Sequence, residues 1–393
     1  MRIRITRDVE IPDPIKLERF KRAPEMGPRI LFFSGGSALR NTSRELIRYT
    51  HNSIHFITPF DSGGSSAVIR KAFDMPAVGD IRNRLMALAD QSIKGNPEIF
   101  DLFAHRLPKN LGQAKLLDEL KCMAAGKHPL VKPIPDPMRK IIRNHFHQFI
   151  ERMPEDFDLK GASIGNLALT AGYLTNRRQL DPVIYIFSKL VQVCGTVRPT
   201  INKDLHIAVR LKDGRVIVGQ HNITGKETEP LSSPIEDIWM TASLEDKTPV
   251  QTAIRNKVKK KIAQAEIICY PIGSLYSSVV ANLLPDGVGA AVAANGCPKA
   301  FVPNTGADPE AVGMTVTDQV KRLLSTLEQS GAPTGRDGLD FIVVDSKNGK
   351  YSGLDKKRIR DLGVEIIDCP LVASGSDPYI DPVRLSEALL SLA

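Results

Sequence analysis

Apolar and polar positions follow two different rhythms along the chain, and the changes of rhythm divide it. Residues 1–28 alternate weakly and carry Pro12, Pro14 and Pro24, which predicts an N-terminal arm with an edge strand. Arg29 to Ser34 (RILFFS) is an unbroken apolar run ending in Gly35, Gly36 and Ser37, and NTSRELIRY follows with capping residues at its start. Strand, tight loop and helix are expected in that order. A second run of buried-strand type, Ser53 to Phe60, empties into DSGGSS, Asp61 to Ser66, and completes a βαβ unit.

Residues 91–160 change to long segments of 3.6-residue period, such as QAKLLDELKCMAA and DPMRKIIRNHFHQFIERM, which predicts a helical insert. ASIGNLALTAGYL and DPVIYIFSKLVQVCG predict two further helices. In LHIAVRLKDGRVIVGQ, Asp213 and Gly214 separate two alternating runs and predict a β-hairpin. Strand-like and helix-like segments then alternate from IEDIWMTA to VRLSEALLSL. The fold class expected is α/β, with a mostly parallel sheet covered on both faces and built from residues 29–90 and 161–393.

Composition narrows the function. The 393 residues are 42% hydrophobic and 25% charged, ordinary values that exclude a disordered, collagen-like or disulfide-scaffold chain. The net charge of +9 favours anionic ligands. Basic residues are scattered, however, and the one dense run, Arg255 to Lys261, reads as the solvated face of a helix, so no nucleic-acid partner is expected. Five cysteines lie far apart without a CxxC pair, which suggests a reducing compartment. No apolar run approaches the roughly 20 residues of a membrane span, and the start lacks a secretory pattern. A cytoplasmic protein without a membrane partner is expected.

Open α/β sheets bind ligands at the carboxyl ends of their strands, and four small-residue loops have that placement. The first offers Gly35 and Gly36 for close backbone approach and Ser37 as a hydroxyl donor. The second supplies Asp61, Gly63, Gly64 and Ser65, and is followed by VGDIRNRLMALAD. There Asp80, Arg82 and Asn83 crowd a first helical turn. Asp80 is most simply a helix cap and Arg82 its surface neighbour; alternatively Asp61 and Asp80 receive a hydroxyl or Mg²⁺ while Arg82 reads a phosphate. Asn166 in SIGNLAL marks the third loop. At the fourth, Gly273 and Ser274 open a helix whose unpaired N–H groups would face an anion. The pairs His51 and His55, and His145 and His147, lack acidic or thiol company and are assigned to packing or surface.

In this order, GG at Gly35, DSGGSS, GDIRNRLMALAD, IGNLAL, the DG hairpin and GSLYSSVVANLL resemble the 2-phospho-L-lactate transferase (CofD-like) family, in particular its gluconeogenesis-factor (YvcK-like) branch. The resemblance implies a Rossmann-like three-layer α/β/α fold with a nucleotide-type ligand across the strand ends. It places Gly35, Gly36, Asp61, Gly63, Gly64, Ser65, Asp80, Asn83, Asn166, Gly273 and Ser274 on the family's site loops. The chain departs from the family pattern at Ser37 and Ala38 in place of TG, at Ser62 in place of a second aspartate, and at Ile272 in a loop usually written GPGS. Losing a carboxylate weakens a metal site more than a neutral sugar site.

Two readings follow. The first is a regulatory binding protein for a nucleotide or nucleotide-sugar ligand, reporting to a protein partner or forming a homo-oligomer. The second is a Mg²⁺-dependent transferase that moves a phosphoacid group from a guanylyl donor to an acceptor hydroxyl, with Asp61 and Asp80 as its catalytic or metal-holding residues.

Overall fold

RILFFS forms β1 (Ile30–Ser34), an interior strand with all five residues buried. The computed structural model describes residues 8–225 and 229–393. Six more strands join β1 in one sheet: β2 (Ile54–Ile57), β3 (Thr196–Pro199), β7 (Ile267–Tyr270), β8 (Lys299–Phe301), β9 (Phe341–Val344) and β10 (Glu365–Asp368). The order is β10-β9-β8-β7-β1-β2-β3, and every neighbouring pair is parallel. Leu31 lies opposite Ile54 on one side and Ile268 on the other.

Successive residues of a strand point to opposite faces, so a strand covered on both sides must be apolar throughout. Ile30 and Phe32 pack with Leu46, Leu385 and Leu389. Leu31 and Phe33 face the other layer, with Tyr276, Val280 and Leu323. The result is the Rossmann-like three-layer α/β/α arrangement. A third apolar cluster joins Ile81 and Leu85 to Phe103, Leu120, Phe146 and Leu167. It covers the segment 91–160, which carries the helices Pro97–Ala104, Gln113–Ala124 and Met138–Arg152.

The hairpin of β4 (His206–Leu211) and β5 (Val216–Val218) turns through Gly214 at φ +87°, and β6 (Ile235–Thr241) pairs antiparallel on the far side of β4. IEDIWMTA therefore belongs to a separate small sheet, not to the parallel one. The N-terminal expectation is also corrected. Pro14–Arg22 is a helix rather than an edge strand, with Asp13 accepting from Lys16 N at 2.9 Å, while residues 1–7 of that segment lie outside the described residues. Pro14 suits a first helical turn, where its missing N–H has no partner to lose, and Leu17 is buried by that helix.

Chain order runs outward from β1 in two directions, through β2 and β3 to one edge and through β7 to β10 at the other. At such a reversal the loops leaving β1 and β7 part to opposite sides, and a crevice opens at their carboxyl ends.

Candidate functional site

The crevice is a cleft of about 560 Å³. The β1 loop lines it with Gly35, Gly36 and Ser37, the β2 loop with Asp61, Gly63, Gly64 and Ser65, and the β7 loop with Gly273 and Ser274. The helix Gly79–Ala87 adds Asp80, Arg82 and Asn83, and the helix Ile164–Thr175 adds Asn166. Every residue singled out from the loops thus borders one cavity.

Gly35 and Gly36 are small because the wall is close. A Cβ at Gly36 would overlap Asp80 Oδ1, and one at Gly35 would stand 2.5 Å from Ser278 Oγ. The Asp80 carboxylate therefore lies against the β1 loop, while Asp80 stands in the first turn of a helix whose N-cap is Val78. Beneath that loop sits Arg84, fully buried. Its Nη2 donates to Gly35 O at 2.8 Å, its Nη1 to Leu39 O at 2.9 Å, and Nη1 also meets Ser43 Oγ. Burial lowers its pKa to about 10, with Asp80 opposing the shift, so it remains a cation at neutral pH.

Arg82 is not a surface residue. It is 8% exposed, its Nη2 donates to Asn83 Oδ1 at 2.5 Å and its Nη1 to Phe103 O at 3.4 Å, while its buried Nε has no partner. Burial, then repulsion from Arg106 and Arg40, lowers its pKa to about 10, against the pull of Asp80. Arg106 also lines the cleft, donating to Gly161 O at 3.1 Å. Crowded guanidinium groups with an unfilled donor form an anion-seeking wall.

Asp61 holds its own loop: Oδ1 accepts from Gly63 N at 3.2 Å and Oδ2 from Ser66 Oγ at 2.6 Å. A Cβ at Gly79 would lie 3.2 Å from Asp61 Oδ2, so Asp61 lies against the start of the helix that carries Asp80. Among the described residues no group of three or more His, Cys, Asp or Glu side chains is disposed to hold a metal. Asn166 gives Nδ2 to Ser65 Oγ at 3.3 Å and leaves its buried Oδ1 as an unpartnered acceptor.

At the β7 loop the expectation of unpaired N–H groups fails. Leu275 N donates to Asp308 Oδ2 at 2.7 Å, and Tyr276 N and Ser277 N donate to Glu310 Oε2 at 3.0 and 2.7 Å. The protein's own carboxylates occupy this helix start, which is a π-helical turn, Leu275–Val280. Gly273 N is likewise held by Asn304 Oδ1 at 2.9 Å. Burial, with Asp308 beside it, raises Glu310 from 4.5 to about 7. A carboxyl raised on folding stabilises the fold below its unfolded value and loses that contribution as pH climbs through the folded one. Stability should therefore decline between pH 4.5 and about 7, and Glu310→Gln should flatten that part of the curve of urea midpoint against pH.

Gln220, His221 and Thr224, on the turn after β5, complete the cleft and carry no motif. Arg70 fixes their distance from the β2 loop. Its Nη1 donates to Phe60 O at 3.2 Å and Asp61 O at 3.3 Å, and its Nη2 to Asp204 Oδ1 at 2.6 Å and Leu205 O at 2.8 Å, just before β4. Burial and Arg70 hold His206 down at about 4, which suits a neutral ring accepting from Arg70 Nη2 at 3.0 Å. On the β7 side the cleft runs on through Ala38, Ile272, Gly273 and Ser274 into a second cavity of about 450 Å³, bordered by Asn304, Pro309, Tyr379, Ile380 and Pro382. His55 and His145 are buried, and His55 stacks on Phe32 at 5.1 Å, in keeping with packing roles.

The chain matches the family described as 2-phospho-L-lactate transferase CofD over residues 30–372. It is 26% identical over 365 residues to the gluconeogenesis factor of Bacillus subtilis, covering 89% of this chain and 93% of that protein. It is also 26% identical over 378 residues to the gluconeogenesis factor of Halalkalibacterium halodurans, covering 92% and 95%. A crystal structure of a UPF0052-family protein from Bacillus halodurans shares the fold, with TM-score 0.68 and 23% identity across 93% of this chain and 99% of that one. With a match that begins at β1, passes through every cleft loop and ends beyond β10, the chain belongs to the CofD family.

Proposed function

We propose that the chain is a binding protein for a phosphorylated nucleotide ligand, a nucleotide sugar in the first instance, and that its role is regulatory. The observation that carries this reading is the Arg82 guanidinium, buried at the topological switch point, with Nε unpartnered and a second arginine beside it. A diphosphate there would meet Arg82 and Arg106 and the small-residue β1 loop. The base would lie toward Tyr379, Ile380 and Pro382, the side with apolar surface, and the far end of the ligand toward Asp61, Asn166 and His221. Asp61 and Asp80 would hold Mg²⁺ where the ligand's phosphates complete its coordination.

The presence of both Asp61 and Asp80 in the cleft lining supports a second reading, transfer of a phosphoacid group to an acceptor hydroxyl, in which Mg²⁺ would neutralise phosphate charge and a carboxylate would take the hydroxyl proton. One experiment separates the two: thermal unfolding with UDP-sugars, GDP and GTP, each with and without Mg²⁺. A ligand at about one hundred times its dissociation constant adds roughly 2.7 kcal/mol. Stabilisation by a UDP-sugar without metal is the expected result. A shift that demands guanine nucleotide and Mg²⁺ together would replace the first reading with the second.

A further inference from the structure

Ser62 and His221 are far apart in sequence and meet behind the cleft. Ser62 is buried between two residues that line it, and His221 rides on the turn that leaves the small sheet. The His221 backbone N–H donates to Ser62 Oγ at 3.3 Å, and the same Oγ lies 2.8 Å from His221 Nδ1. Oγ keeps a second lone pair as well as its hydrogen, so it can give that hydrogen to Nδ1 or accept from Nδ1–H. Where the hydroxyl donates to Nδ1, the ring proton lies on Nε2.

Packing closes on the same edge of the ring. Gly219 has φ +92°, and a Cβ there would lie 2.8 Å from His221 Cε1 and 2.8 Å from Leu244 Cδ2. Ser62 and Gly219 thus border the Nδ1–Cε1 side of the ring, and His221 is one of the residues that line the cleft. Gln220 and Asn166, which also line the cleft, are uncharged groups that both donate and accept, and Asp61, the residue before Ser62, adds a carboxylate.

We propose that His221 is a specificity-determining contact for the hydroxyl-bearing, uncharged group that the ligand carries beyond its diphosphate, with Nε2–H as the donor and Ser62 as the positioning residue. This rests on the nucleotide reading above. The pair ties the small sheet to the ligand, since a movement of the turn would withdraw the donor.

Titration calorimetry of the full chain with UDP-glucose and with UDP tests the assignment. His221→Ala should weaken UDP-glucose by about 3- to 10-fold, the value of one neutral hydrogen bond, and leave UDP nearly unchanged. His221→Gln, which keeps an N–H donor at similar reach, should restore most of the loss. Ser62→Ala should show a smaller loss that Ser62→Thr rescues. Nitrogen NMR of the imidazole should report the Nε2–H form in the unliganded wild type and a mixture of tautomers in Ser62→Ala. Equal affinities of His221→Ala and wild type for UDP-glucose, equal losses for both ligands, or an Nδ1–H ring in the wild type would overturn the proposal alone. Failure of the wild type to bind either compound would remove the nucleotide reading, and this proposal with it.

Discussion

Arg84→Leu is expected to lower the unfolding free energy by about 3–5 kcal/mol and to abolish stabilisation by any ligand of the cleft. The guanidinium is fully buried and bonded to the carbonyls of Gly35 and Leu39 and the hydroxyl of Ser43. Leucine recovers apolar burial worth about 1.5–3 kcal/mol. Against that, it strands buried acceptors at about 1–3 kcal/mol each and leaves Asp80 without the cation it faces. The second set of effects is larger, so the net sign is destabilising. Because Gly35 O is one of the stranded acceptors, the β1 loop loses its floor and Asp80 its fixed neighbour. Arg84→Lys retains a charge without the planar fork, and should recover only part of the loss. Urea denaturation at neutral pH measures both. A change below about 1 kcal/mol for the leucine variant would mean that water replaces the guanidinium and that the loop does not depend on it.

Arg84 also shows what the sequence conceals. Ile81, Leu85 and Leu88 mark the buried face of their helix, and Arg84 falls on the same stripe, three residues after Ile81 and four before Leu88. A charged residue at a core position of an apolar stripe is a signal that spacing alone exposes. It passes unnoticed because Arg82, two positions earlier, looks like the functional one. The β1 and β2 runs and their glycine loops are legible, since an apolar run bounded by small residues has few other readings. Convergence of the loops follows from strand order, which the sequence does not state but which alternating elements restrict to a parallel sheet.

Other parts depended on contacts that no local pattern encodes. Arg106 reaches the cleft from the end of one helix of the segment 91–160, and His221 from a turn of the small sheet. The helix start at Gly273 reads as an anion site until Asp308 and Glu310 are seen to fill it from more than thirty residues downstream. At the N-terminus, Asp13 followed by Pro14 is a helix-start signature that outweighs the weak alternation around it.

Arg82→Ala should weaken binding of a phosphorylated nucleotide by about 1.5–3 kcal/mol, the value of a hydrogen bond to a charged group, with the fold retained. Retention is expected because Arg82 makes one bond to its neighbour Asn83 and one long bond to Phe103 O, unlike the network of Arg84. The free protein carries a cost at this position. Burial and the adjacent arginines disfavour the cation, and Nε lacks an acceptor. An arriving phosphate removes both penalties, whereas truncation to alanine removes them without ligand. The variant should therefore be as stable as the wild type, or slightly more so, in the absence of ligand, and should gain less when ligand is added. Arg82→Lys should fall between, since an ammonium keeps the charge but cannot present two parallel donors. Salt gives a further discriminant. A buried contact is screened little, so the difference between wild type and Arg82→Ala should persist as ionic strength rises. If the variant binds UDP-sugars as tightly as the wild type, Arg82 acts only by holding Asn83 and Phe103 in place, and the phosphates must lie elsewhere along the cleft.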